Sequence, residues 1–143
     1  MRDHLQREVN LLSTEILVSS VLRSYGFTVS AATLSVYIDH RVRVDFHPPN
    51  VLLYAEFDVE HGFAYNLNIN VNPRCRHRGI GGRLSAAYEE ICRKAELTIL
   101  INNNQNLAFW KRRGYRRLNG FHKMRLLKKL GIGFDTHSVY KTP

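Results

Sequence analysis

The stretch Val71-Asn-Pro-Arg-Cys-Arg-His-Arg-Gly-Ile-Gly-Gly-Arg83 constrains this chain more than any other. An alternating segment, Phe63 to Val71, runs into it, and an amphipathic one, Gly79 to Ala95, runs out of it. The first has the period of a strand, with Tyr65, Leu67, Ile69 and Val71 on one face and Asn66, Asn68 and Asn70 on the other. The second puts Leu84, Ala87, Tyr88, Ile91 and Ala95 on one helical stripe and turns Glu89 and Glu90 to water. Between them the chain must turn through glycines 79, 81 and 82. Without a Cβ, glycine lets backbone N–H groups come close to a ligand. A helix starting there directs its partial positive charge at the same place. Such a turn is suited to phosphate, and Arg76, Arg78 and Arg83 add mobile charge around it.

Two phosphate-binding patterns fail on these residues. A P-loop requires lysine and then serine or threonine after its last glycine, and neither follows here. A dinucleotide fingerprint requires a third glycine where Leu84 stands, and an acid after the next strand. That next strand, Leu97 to Ile101, runs instead into Asn102 and Asn103.

A third pattern, V-x-P-x-x-R-x-x-G-x-G, is filled in register by Val71, Pro73, Arg76, Gly79 and Gly81. This resembles the coenzyme A loop of the GNAT superfamily of N-acetyltransferases. The resemblance continues downstream in Asn103, Trp110, Gly114 and Tyr115, and extends over about Val51 to Leu118. It implies an α+β fold: a mostly antiparallel central sheet with one parallel, splayed strand pair, flanked by helices. The family usually begins with a strand before its first helix, and none is visible here. The implied activity moves an acetyl group from acetyl-CoA, as co-substrate, to a primary amine by direct attack in a ternary complex. No metal is implied.

Carried over by position, the backbone of Ile69, Asn70 and Val71 would hold the pantetheine arm and the carbonyl oxygen. Amides across Arg76, His77, Arg78, Gly79, Ile80, Gly81 and Gly82 would hold the pyrophosphate. Asn103 would reach the arm from the second strand. Many family members carry a tyrosine where Trp110 stands, and that tyrosine protonates the sulfur. Indole cannot do so, which leaves Trp110 as core or as lining of the coenzyme channel. Tyr140, on the presumed last strand, is the candidate acid. The base is sought among Glu56, Asp58, Glu60 and His61, and Glu56 is preferred because it sits mid-strand rather than in a turn.

At 143 residues the chain suits one domain with one core, 1–143. Hydrophobic residues make up 44% and no apolar run approaches the roughly 20 residues of a membrane span. The N-terminus carries charge but no apolar h-region. Cys75 and Cys92 lack the spacing of a metal site and fit reduced thiols in a cytoplasmic protein. Either a monomer or a homodimer is compatible with this. The charge of +9 is unevenly placed: residues 74–129 hold 15 of the 21 Lys and Arg but only 3 of the 12 Asp and Glu. That surplus exceeds what one coenzyme requires. It is either a solvated face or a surface for a polyanion, and nucleic acid is the rival partner because Phe109, Trp110, Tyr115 and Phe121 interleave with the bases.

Residues 3–24 read as a packing helix with Leu5, Val9, Leu12, Ile16 and Leu22 on a broad apolar face. Thr33–Ile38, Arg41–Phe46, Val51–Asp58 and Phe63–Val71 read as an antiparallel meander. Strand, helix and strand from 63 to 101 suggest a parallel crossover. Asn103 or Asn104 could cap a short helix carrying Trp110. Residues 115–118 begin a strand, 121–130 form a basic amphipathic segment, and 137–141 form a last, edge strand.

Overall fold

The computed structural model describes residues 2–101, 107–135 and 137–143, and for residues 2–10 the backbone alone. Helix α1 (Arg2–Ser24) precedes a meander of β1 (Leu34–Asp39), β2 (Arg41–Phe46), β3 (Val51–Asp58) and β4 (Phe63–Val71). Helix α2 (Ile80–Lys94) then crosses to β5 (Thr98–Ile101). Beyond it come α3 (Leu107–Arg112), β6 (Arg116–Arg117), α4 (Met124–Lys129) and β7 (Val139–Lys141). The strands form one seven-stranded sheet in the order β1-β2-β3-β4-β5-β7-β6. Only β4 and β5 are parallel. The fold is therefore the mixed, mostly antiparallel sheet with one parallel pair that the motif implied.

Local chemistry sets the turns. His40 takes φ +62 so that Asp39 can pair directly with Arg41. Between β3 and β4, Gly62 takes φ +78 and the His61 amide donates to the Asp58 carboxylate at 3.0 Å. β4 and β5 lie parallel because a crossover helix, not a hairpin, joins them.

Both faces of the sheet are used. Val42, Val44 and Phe46 of β2 and Leu53, Ala55 and Phe57 of β3 pack with Leu84, Tyr88 and Ile91 of α2 and with Val18 and Leu22 of α1. Each large side chain buried this way contributes about 1.5–3 kcal/mol. On the opposite face Phe63, Tyr65 and Leu100 pack under Leu118, Phe121, Leu127 and Ile132 from the C-terminal segment. The Arg41 guanidinium donates to the Leu130 carbonyl at 2.7 Å and ties the end of α4 back to β2.

Four sequence-based expectations change. The buried stripe of α1 runs through Val18, Val21 and Leu22, whereas Leu12 and Ile16 are about 60% exposed; the side chains of Leu5 and Val9 lie outside the described ones. A period of 3.6 permits several stripes on so apolar a helix, and only packing selects one. Glu89 is buried rather than wet, because α3 and β7 close over it with two cations. β7 is not the edge of the sheet: it lies between β5 and β6, and β6 is the edge. Finally, Tyr65 does not share a face with Leu67 and Ile69. A bulge places two residues of β4, Asn66 and Leu67, against the single Ala55, which reverses the alternation at that point. No helix among the described residues is long and apolar enough to cross a membrane.

Candidate functional site

The bulge in β4 is where the site begins. Asn66 takes φ +51 there, and its side-chain amide donates to Glu56 Oε2 at 2.5 Å. Below this point β4 pairs with β5 at Phe63–Thr98 and Ala64–Ile99. Above it the pairing stops, although β4 continues to Val71. On the side away from β3, the upper part of β4 thus presents peptide N–H and C=O groups with no strand among the described residues paired to them. Free strand edges of this kind bind amide-bearing ligands as an added strand would be bound.

From Val71 the chain enters a 3-10 turn, Pro73–Cys75, capped by the Asn72 side chain accepting from the Arg74 amide at 3.0 Å. His77 and Gly79 then take left-handed conformations, φ +67 and +76, and reverse the chain into α2. A bulky residue rarely adopts that conformation, so the turn is held by its surroundings at some conformational cost. Helix α2 starts on Gly79 with no side-chain cap and no acid in its first turn. Its first internal bond runs from the Arg83 amide to the Gly79 carbonyl. The earlier amides lack an intrahelical partner and point out of the helix end, as anion-binding donors do.

A cleft of about 680 Å³ joins these parts, a size ordinary for a ligand site. Ile69, Asn70 and Val71 of β4 form one wall. Arg76, His77, Gly79, Ile80, Gly81 and Gly82 form its floor. Trp110 closes the far side, buried and stacked edge-on between Phe109 and Tyr115. Arg78 is exposed on the loop and does not line the cleft. Asn103, and the cap expected at 103 or 104, lie outside the described residues. The charge is less mobile than the sequence suggests. Arg76 Nε donates to the Val71 carbonyl at 3.1 Å, and the Arg83 guanidinium lies 4.5 Å over the Phe27 ring.

Sequence reasoning passed over four lining residues: Cys75, Ser85, Phe109 and Arg112. Ser85 was recoverable, because it lies one turn into α2 on the side of Gly81, whose carbonyl its hydroxyl reaches at 2.8 Å. Phe109 and Arg112 depend on where α3 lands, and no local pattern carries that.

Glu56 and Tyr140 do not line the cleft. They lie on the other face of the sheet, yet on one row across it. Glu56 pairs with Tyr65, and Leu100 with Tyr140. Tyr65 and Leu100 are the residues that follow the last parallel pair. The row therefore crosses the sheet where β4 and β5 part. Glu56 is buried and engaged: Tyr54 donates to it at 3.0 Å, and Arg43 Nε lies 3.6 Å away. Tyr140 stacks on Phe121 at 4.5 Å.

Tyr65 stands between them, fully buried, with the Arg41 guanidinium 4.8 Å from its ring centre and its hydroxyl making no well-aligned hydrogen bond to any described residue. Burial pushes its phenol up to about 12, with nearby Arg41 opposing. The folded state therefore holds this proton more tightly than the unfolded chain, which releases it near pH 10. The associated stability is complete below about pH 10 and is lost as pH rises toward 12. Tyr65→Phe should leave stability at pH 7 nearly unchanged, since the lost hydroxyl makes no well-aligned hydrogen bond, and should flatten the alkaline loss. Urea unfolding measured from pH 7 to 12 checks this; identical profiles would refute it.

Three comparisons with known proteins bear on this geometry. The sequence model described as the acetyltransferase (GNAT) family matches residues 33–115. No curated protein matches the chain. Among solved structures, the chain is similar to a protein of Klebsiella pneumoniae subsp. pneumoniae provisionally described as an acyl-CoA N-acyltransferase. The identity is 17%, the TM-score 0.46, and the match covers 89% of this chain and 86% of that one.

Proposed function

Because the chain belongs to the GNAT acetyltransferase family, we propose that it moves an acetyl group from acetyl-CoA to a primary amine within a ternary complex. One observation carries this reading. The unpaired edge of β4 leads directly into the uncapped end of α2, so amide acceptors and donors are continuous with phosphate donors along one cleft. The thioester supplies an activated carbonyl. Ile69, Asn70 and Val71 orient the arm that carries it, and the first-turn amides of α2 hold the diphosphate. Arg76, on the floor of the cleft, screens its charge, and His77 lines the same floor. Trp110 excludes water from the channel.

In this reading Glu56 takes up the amine's proton, directly or through a water, and Tyr140 supplies one to the leaving sulfur. A second reading, coenzyme binding without transfer, is favoured by the hydrogen bonds that already occupy Glu56.

Calorimetry with acetyl-CoA, followed by thiol release during incubation with a panel of amines, tests both. Binding with amine-dependent release is expected. Binding without release would select the second reading, and no binding would end both.

A further inference from the structure

The C-terminal third carries a charge distribution that acyl transfer does not use. From Leu97 to Phe134 there is no Asp or Glu, and there are nine Lys and Arg. Arg113 is paired with Glu89, and Lys123 lies 5.8 Å over the Phe63 ring. The other seven, Lys111, Arg112, Arg116, Arg117, Arg125, Lys128 and Lys129, are exposed and form no ion pair with any described residue. Holding so many like charges together costs free energy unless an anionic partner offsets it.

These cations sit on fixed backbone. Arg116 and Arg117 are β6, hydrogen-bonded to β7 at the edge of the sheet. Arg125, Lys128 and Lys129 recur at helical spacing on α4, while Leu127 between them is completely buried. The end of α4 is held by Arg41.

The surroundings narrow the partner. The aromatics that interleave with the bases are taken up by the fold: Trp110, Tyr115 and Phe121 are buried, and Phe109 faces the cleft. Among the described residues the surface therefore presents no exposed Phe, Tyr or Trp ring, only the His122 imidazole against Phe121, whereas single strands are held by bases stacked on successive rings. The large hydrophobics left exposed among the described residues, Leu12, Ile16, Tyr37 and Val59, lie on other elements, so this surface lacks the apolar anchor that dominates protein–protein contacts. α4 spends its apolar face on the core, so it has none left to insert into a lipid surface. What remains is charge at fixed positions, which matches the phosphates of a helical nucleic acid.

We propose that the outer surface of β6 and α4 docks duplex nucleic acid through its phosphate backbone. It does not depend on the cleft's being an acyltransferase site.

The test is fluorescence anisotropy with a labelled RNA hairpin, a DNA duplex of the same sequence and an unstructured single strand. Binding to either duplex should weaken steeply with salt, the logarithm of affinity falling by about 0.9 per phosphate contacted for each tenfold rise in salt, hence by about 4–5 for five contacts. Lys128→Glu with Lys129→Glu should cost about tenfold, and adding Arg116→Glu and Arg125→Glu about 100-fold or more. The melting temperature of each variant should stay within a few degrees of the parent, which shows that the variants are folded. The proposal is overturned if duplex affinity in the fourfold variant stays within about threefold of the parent. It is also overturned if the single strand binds more tightly than both duplexes, or if vesicles rich in anionic phospholipid bind more tightly than either duplex.

Discussion

Replacing Gly81 by arginine is expected to abolish coenzyme A binding while the protein stays folded. The substitution is informative because two effects that usually coincide are separated at this position. A Cβ built on Gly81 meets only Val71 Cγ2, at 3.8 Å, an ordinary contact. The backbone there is helical, so alanine is free of strain and is intrinsically favoured by up to about 1 kcal/mol. An arginine side chain, however, would extend over the first-turn amides and into the floor of the cleft that Gly81 helps to form. We expect affinity for coenzyme A to fall by about 100-fold or more by calorimetry, with the melting temperature within a few degrees of the parent. Gly79→Ala should behave in the opposite way. No atom lies near its Cβ, but φ +76 puts an L-residue in the left-handed region, at about 1–2 kcal/mol. Gly79→Ala should therefore lower stability and weaken binding less than Gly81→Arg. If Gly81→Arg bound coenzyme A as the parent does, the phosphate site would lie elsewhere.

The contrast between these glycines also shows what sequence could convey. The motif from Val71 to Gly81 encodes backbone conformation and helix start, both local properties, and so it located the loop, the helix and the strand before it. The parallel crossover followed from the order of periodic segments. Three features were hidden for one reason: they depend on what meets what across the sheet. Asn66 looks like one more polar residue in an alternating strand. Only its pairing with Ala55 and Glu56 makes it a bulge, and only the bulge moves Tyr65 to the opposite face and opens β4 from β5. Leu12 and Ile16 satisfy a helical period that the sheet does not use. The row joining Glu56, Tyr65 and Tyr140 spans residues 84 positions apart and exists only through strand register. Residue type suggested Glu56 and Tyr140, whereas register gives them a common place, on the face away from the cleft.

Glu89 is the clearest case of a residue whose role is set by partners distant in sequence, and its replacement should have the largest effect on stability. The pair Glu89-Glu90 reads as solvated on the helix. Glu90 does face solvent, with Arg93 at 2.5 Å and Lys94 at 3.8 Å. Glu89 is 8% exposed. One of its oxygens accepts from both Nε and Nη2 of Arg113, and the other from Lys141 Nζ at 3.1 Å. Lys141 Nζ also donates to the Arg113 carbonyl at 2.6 Å. One carboxylate thus joins α2, the turn after α3 and β7. Nearby, the Tyr115 hydroxyl is held protonated, by burial first and by the Glu89 charge second. Replacing the carboxylate by an amide would leave two cations in a partly closed site with neutral carbonyls but no negative charge between them. An unpaired charge left in that setting costs more than the pair contributes while intact. Glu89→Gln should therefore destabilise the fold by about 3 kcal/mol, lowering the urea midpoint with little change in slope. Lys141→Met should cost less, about 1 kcal/mol, because Glu89 keeps its bonds to Arg113. The double variant Glu89→Gln, Lys141→Met should be more stable than the sum of the two losses implies, since it removes one of the stranded cations. A Glu89→Gln loss below about 0.5 kcal/mol would mean that solvent reaches the cluster and screens it as an exposed pair.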